Sequence, residues 1–400
     1  MATFKGDPST LRVMNRRTVL DHIRRIGPVS RTKLAELTGL SPAAITAVTA
    51  ELIEDKLLTE RSVGEAGSSG GRRPIFIDID NESHHVIGLK LSEHRLEGVV
   101  TDLSLQVLAH ITEDLKDHEP ARVVTQISSL CKKLTKRAKI NHKQLIGIGI
   151  GLSGVIDVAN GIALHAPLLG WHNISIAELV THSTGLPTWV DNDANGFAAA
   201  ERLFGHARHA RNFIAVAIGR GVGAALVSNG EIHRGRNGGA GEFGHNLIQP
   251  NGRTCSCGRQ GCLEAYTCET AIIAQFLEKA PKQKNITIPE ILELAASNQP
   301  LALEVLGNAG RLLGTHVAYL VNAFNPELIV IGGEGAELGD AYFEPMREII
   351  RSQAFEGLAN ELPIIVVPWD KDDFTPWAQG AASLAVQNAF DTGAVWQRHA

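Results

Sequence analysis

Three of the five cysteines in this 400-residue chain fall within eight positions: Cys255, Cys257 and Cys262, with His245 ten positions upstream. The spacing reads H-x9-C-x-C-x4-C. Thiolate and imidazole together suit a borderline-soft ion such as zinc, held in a closed tetrahedron. Gly252, Gly258 and Gly261 punctuate the cysteines and let the backbone fold tightly around one ion. The alternative is a loop of unrelated reduced cysteines. Disulfides fit poorly, because the cysteine count is odd, Cys255 and Cys257 are separated by one residue, and no signal peptide is read at the N-terminus. A reducing, cytoplasmic setting is expected.

A second set of residues could recognise a polyol. Carboxylates and amides can pair with two hydroxyls at once, which is demanding of geometry. WVDNDANGF offers Asn192 and Asp193 where a strand gives way to a helix, GEFGH offers Glu242 and His245, and CLEAY offers Glu264. The bland readings are helix capping for Asn192 and Asp193, a cap or surface charge for Asp191, and a salt bridge for Glu242.

The elements around these residues alternate. Strands are expected at Val86–Leu91, Leu96–Leu103, Val107–Ile111, Leu145–Gly151, within Phe213–Glu231 and at Leu328–Gly333. A helix between the third and fourth would bury Val123, Val124, Ile127, Leu130, Cys131 and Leu134. The pattern predicts an α/β fold. Net charge is mildly negative, no run approaches the roughly 18 apolar residues of a membrane span, and no short-period repeat is present.

The front of the chain differs. From Met1 to Leu34 there are eight Lys/Arg against two Asp/Glu. A helix is expected from Leu11 to Ile26, on Leu11, Met14, Val19, Leu20, Ile23 and Ile26, stopped by Gly27-Pro28. Ser30 then caps a short helix burying Leu34 and Leu37 and ending at Gly39. Ser41 caps the next, with Pro42 in its first position, burying Ile45, Val48, Leu52, Ile53 and Leu57. This is the helix-turn-helix pattern, and the plain alternative is a three-helix bundle for protein contacts. Ser41, Ala43, Ala44, Thr46, Ala47 and Ala50 would face outward, small enough to let the helix sit deep in a major groove, where methyls meet thymine and hydroxyls reach base edges. Two strands follow, Leu57–Glu60 and Pro74–Ile79, with GEAGSSGGRRP between them as a wing tip carrying Arg72 and Arg73 toward a minor groove.

GGAGEFGH followed by CSCGRQGCLEAY resembles the signature of the ROK family, which contains sugar kinases and sugar-responsive repressors. The resemblance spans essentially the whole chain. It implies a two-lobed, ribonuclease-H-like (actin-like ATPase) sugar domain preceded by an N-terminal winged helix-turn-helix. The domains would be residues 1–80, a first lobe at 81–193 completed by a C-terminal helix near 376–390, and a second lobe at 194–375 with the zinc loop and an oligomerisation surface. The resemblance gives structural zinc to His245, Cys255, Cys257 and Cys262. It gives a sugar, closed between the lobes, to Gly154 (in GLSGVID), Asn192, Asp193, Glu242, His245 and Glu264, with Asp193 in the place of the kinases' general base. Trp171 either lines the pocket or packs in the core.

Kinases of the family carry Asp-x-Gly-x-Thr on their first strand and a Gly-Thr-Gly-x-Gly loop. Here Lys90 replaces the Asp, Ser92, Glu93 and His94 fill the turn, and GRGVG places Arg220 where Thr belongs. ROK kinases also lack the winged helix. The expectation is therefore a non-enzymatic repressor. It would be a homodimer or homotetramer binding operator DNA, with a sugar or sugar phosphate as effector and no membrane association. A kinase with an added domain, or a repressor answering a phosphocarrier protein, are the other readings.

Overall fold

The computed structural model describes residues 8–62, 75–369 and 375–391. The wing tip with Arg72 and Arg73 lies outside the described residues. The chain divides into two compact units, Met1–Asp191 with Ala378–Ala400, and Asn192–Trp377.

The first unit opens with α1 (Pro8–Ile26), β1 (Val29–Ser30), α2 (Arg31–Thr38), α3 (Pro42–Glu54), β2 (Leu58–Ser62) and β3 (Ile75–Ile79). Local chemistry sets each boundary. The Ser30 hydroxyl accepts the Lys33 N–H and Ser41 accepts that of Ala44, while Gly39 ends α2 in the left-handed region at φ 70°. Leu20, Ile23, Leu34, Ile45 and Leu52 form the core of the three helices, and β3 lies between β1 and β2, all antiparallel. Two expectations fail here. Leu37 is exposed, as are Leu11, Met14 and Ile26. Helix geometry accounts for the difference on α1: the buried face is that of Arg16, Val19, Leu20 and Ile23, and with 3.6 residues per turn Leu11 and Met14 fall on the other side. On the buried face Arg16 reaches Glu51 of α3 and Asp55, which caps it.

Next come β4 (His85–Leu91), β5 (Arg95–Asp102), β6 (Val107–Asp114), α4 (Pro120–Ala138), β7 (Leu145–Leu152), the short β8 (Val155–Asp157), β9 (Ile162–Ala166) and β10 (Trp171–Ile174), α5 (Ile176–Thr184) and β11 (Thr188–Asn192). Five of these strands make a sheet in the order β11-β7-β4-β5-β6. The helical apolar set on α4, Cys131 included, is fully buried against it. Trp171 is core, its indole N–H donating to the His118 carbonyl at 2.6 Å.

The second unit holds α6 (Asp193–Leu203), β12 (Phe213–Ile218), β13 (Val222–Ser228), β14 (Glu231–His233), α7 (Glu264–Thr267), α8 (Glu269–Lys279), α9 (Ile288–Ala296), α10 (Pro300–Phe324), β15 (Leu328–Gly332), α11 (Asp340–Gln353) and β16 (Ile364–Val366). Its sheet runs β14-β13-β12-β15-β16. Counted in chain order among its own five strands, each sheet has the order 3-2-1-4-5. In both, the first strand is antiparallel to the second and parallel to the fourth. The fold is thus one ribonuclease-H-like α/β topology used twice.

The last helix, α12 (Thr375–Asp391), belongs from Ala378 onward to the first unit. Ala378, Ala381 and Ala382 cross β4 and β7 at the paired glycines Gly88 and Gly149. A Cβ on Gly88 would sit 1.9 Å from the Ala378 carbonyl, and one on Gly149 1.8 Å from that of Ala381. Gly88 and Gly149 are the positions that admit this helix, whereas Gly147 on the same strand as Gly149 gives room to Trp189.

Candidate functional sites

The outward face of α3 is as the sequence implies: Ser41, Ala43, Thr46, Ala47 and Ala50 are exposed and Ala44 is half-buried. The Thr46 hydroxyl donates back to the Pro42 carbonyl at 2.9 Å, leaving its methyl and lone pairs outward. Sequence reasoning missed the groups that hold this helix. Arg16 bridges Glu51 and Asp55, and Arg31 joins Thr49 to Glu60. Long-range pairs of this kind leave no local signal.

In the second unit, His245, Cys255, Cys257 and Cys262 offer ligand atoms all within 4.8 Å of one another, a cluster that could hold a metal ion. The spans test the fit. Bonds of ~2.3 Å to sulfur and ~2.05 Å to nitrogen in a tetrahedron require about 3.8 Å between two sulfurs and about 3.6 Å between sulfur and nitrogen. Cys257 and Cys262 sulfurs are 3.8 Å apart, and the Cys255 sulfur lies 3.5 Å from His245 Nδ1. Cys268, the remaining cysteine of this unit, is buried elsewhere in its core. Burial works against ionising Cys257, but the backbone N–H and guanidinium of Arg259 outweigh it and pull that thiol down. Arg259 also donates to the His245 carbonyl at 3.2 Å. An ion with three thiolates carries net negative charge, and Arg259 is the cation beside it; nothing in the spacing marked it.

Two members of the polar set, Glu242 and His245, lie at the start of the same loop. The His245 ring presents Nδ1 to the cysteines and Nε2 to Glu242, 3.8 Å away. Burial raises the Glu242 pKa, Asp193 and Glu264 raise it further, and His245 and Arg259 oppose them, so these carboxylates share one electrostatic neighbourhood. Gly241 explains the glycine-rich approach: at φ 92° it lies on β13, where a Cβ would meet the Ala224 carbonyl at 1.9 Å. Asn192 and Asp193 open α6, and both side chains accept the Ala194 N–H at 2.9 Å. Asp191 is buried, not a surface charge.

Glu264 is placed differently from the others. It is buried, with Oε1 accepting from the Ser256 hydroxyl at 2.6 Å and Oε2 from the Val222 N–H at 3.1 Å. It ties the cysteine loop to GRGVG. A second carboxylate, Glu334, lies against that loop, where a Cβ on Gly219 would meet it at 2.3 Å, and it accepts from the Trp377 indole at 3.0 Å. Arg220 is exposed at the loop's tip. In the first unit, Lys90 is buried opposite Glu97 in the β4–β5 register, and Gly154 lies against the His165 carbonyl.

A helix-turn-helix followed by a duplicated ribonuclease-H-like fold, whose second copy bears a loop of one histidine and three cysteines, defines a narrow class. The family model described as ROK family matches residues 86–388, and the chain belongs to that family. It is 33% identical over 375 residues to the DNA-binding transcriptional dual regulator NagC of Escherichia coli K12, covering 90% of each chain. It is 28% identical over 386 residues to the xylose repressor of Bacillus subtilis 168, covering 96% of this chain and 98% of that one. Among solved structures, a ROK family transcriptional regulator described as a homologue of the E. coli MLC protein matches with TM-score 0.84 and 29% identity, over 97% of this chain and 99% of its own. A ROK glucokinase from Streptomyces griseus, with glucose and AMPPNP, matches with TM-score 0.64 and 25% identity, over 75% of this chain and 98% of its own.

Proposed function

We propose that this chain is a sugar-responsive transcriptional repressor without kinase activity. The carrying observation is one of extent: the regulator structure matches almost end to end, whereas the glucokinase is itself nearly fully matched yet leaves a quarter of this chain unaccounted for. The exposed small-residue face of α3 supports DNA binding through Ser41, Ala43, Ala44, Thr46 and Ala47, with Arg72 and Arg73 of the wing added. Effector recognition falls to Asn192, Asp193, Glu242 and His245, with Gly154 and Glu264 as further members. Zinc suits the cluster of His245 and the three cysteines, and with four protein ligands its part would be structural, fixing the loop. Zinc on Nδ1 leaves Nε2 of His245 as an N–H donor, which a sugar hydroxyl can accept. The kinase reading is opposed by Lys90, buried where the family's metal-side Asp belongs, by Glu93 in the turn, and by the GRGVG loop: Arg220 stands in its Thr position, and Glu264 and Glu334 already lie against its backbone.

A homodimer or tetramer would read two half-sites, and the effector acts only by binding the non-binding conformation better. The test pairs two variants in gel-shift titrations on operator fragments selected with the wild-type protein, with and without the sugar that most raises its melting temperature. Asp193→Asn should bind DNA as wild type does and lose the sugar response. Ala47→Glu should lose DNA binding and keep the sugar-induced thermal shift. Loss of DNA binding by Asp193→Asn, or an unchanged sugar response, would sink the assignment, as would sugar-dependent ATP hydrolysis by the wild type.

A further inference from the structure

The HAPLLGWHN stretch carries two histidines that the effector reading leaves unused. His165 on β9 and His172 on β10 are direct cross-strand partners in an antiparallel pair. Both are exposed, while the residues beside them on the opposite face of the ladder, Ala166 and Trp171, are buried. Their Nδ1 atoms are 3.3 Å apart and their ring centroids 4.8 Å apart, so the nitrogen edges lean toward each other. Two nitrogens bound at ~2.0–2.1 Å to one tetrahedral ion stand about 3.3–3.4 Å apart. The ruler that fits the histidine-cysteine cluster therefore fits this pair as well.

We propose that His165 and His172 form a second metal site, for an exchangeable divalent ion of the imidazole-preferring class, zinc, nickel or copper. Two features favour it over a neutral N–H···N contact alone. The backbone ladder fixes both Cβ positions, so little side-chain freedom is lost on binding. Exposure lets the ion keep water in its remaining positions. Among the described residues only the His245 cluster gathers three or more potential ligands, so water completes this site. The ion would cross-link β9 to β10 beside Gly154, which packs on the His165 carbonyl. The proposal does not depend on the repressor reading.

The test uses the full-length protein carrying one zinc per chain, titrated with further Zn²⁺ by calorimetry at pH 8. Wild type should bind a second equivalent. His165→Gln and His172→Gln should each weaken that equivalent at least tenfold while keeping the first, which also shows that the fold is intact. Lowering the pH to 6 should weaken the second equivalent in wild type, since protons compete for both nitrogens. Absence of a second equivalent in wild type, its survival in either variant, or its indifference to pH would overturn the site.

Discussion

His245 faces two ways on one ring, and that division sets what surrounding residues contribute. Its Nδ1 lies toward the cysteines, and a metal bound there would fix the tautomer and make the edge toward Glu242 a donor. Arg259 supports the arrangement from outside the ligand set, by its bonds to the His245 carbonyl and Cys257. Outer partners of this kind tune metal affinity about 10–100-fold. Arg259→Ala should lower the zinc affinity of the histidine-cysteine cluster by about tenfold in competition with a chromophoric chelator, with that first equivalent still filled at saturation; an unchanged affinity would remove Arg259 from that role. The four candidate ligands were legible because the chain has only five cysteines, three of them within eight positions and a histidine ten positions upstream. Arg259 and Ser256 were not, since an arginine or serine in a polar loop has no pattern until the loop folds. Glu264 shows the opposite limit. Its motif marks it for the site, but only the fold shows it spending both oxygens on Ser256 and Val222.

At the scale of elements, glycine carried more meaning than apolar periodicity. The run Leu145–Leu152 alternates Ile, Leu and Gly, and its strand character was plain from sequence; what the glycines face was not. The Ala-rich α12, more than 200 residues away in the chain, lies on Gly149, while Gly147 faces Trp189, and the strand pattern hints at neither partner. Gly149→Ala would drive a methyl into the Ala381 carbonyl, and overpacking of a rigid backbone contact costs about 1–3 kcal/mol or more. Urea unfolding should show a loss of at least about 2 kcal/mol for Gly149→Ala. A neutral result would mean that α12 sits farther from β7 than described. On α1 the apolar residues are spread over more than one face: Val19, Leu20 and Ile23 share the buried face with Arg16, paired to Glu51 and Asp55, while Leu11 and Met14 lie on the other side.

Across the whole molecule, the repetition of one sheet order in both units was only partly visible in sequence. Hairpin-rich strand openings recur, but the matching 3-2-1-4-5 orders emerge from pairings that no short pattern records. The second unit also carries a charge arrangement with a global consequence. Glu269 opens α8, its N–H bonded to the Gly219 carbonyl, and burial followed by the charges of Glu334 and Glu337 raises its pKa to about 7. A carboxyl with a folded pKa above its unfolded value holds its proton better when folded. Stability linked to it is fully present below about pH 4.5 and is lost as pH rises toward 7. After discounting for partial exposure, the loss is about 1–2 kcal/mol. Other groups impose their own pH dependence, so the informative quantity is the difference between wild type and Glu269→Gln. That variant keeps the shape and removes the charge. It should match wild type at pH 5 and exceed it by about 1–2 kcal/mol at pH 8. Equal stability at both pH values would show that Glu269 ionises freely, and that the carboxylates around the GRGVG loop do not act as one cluster.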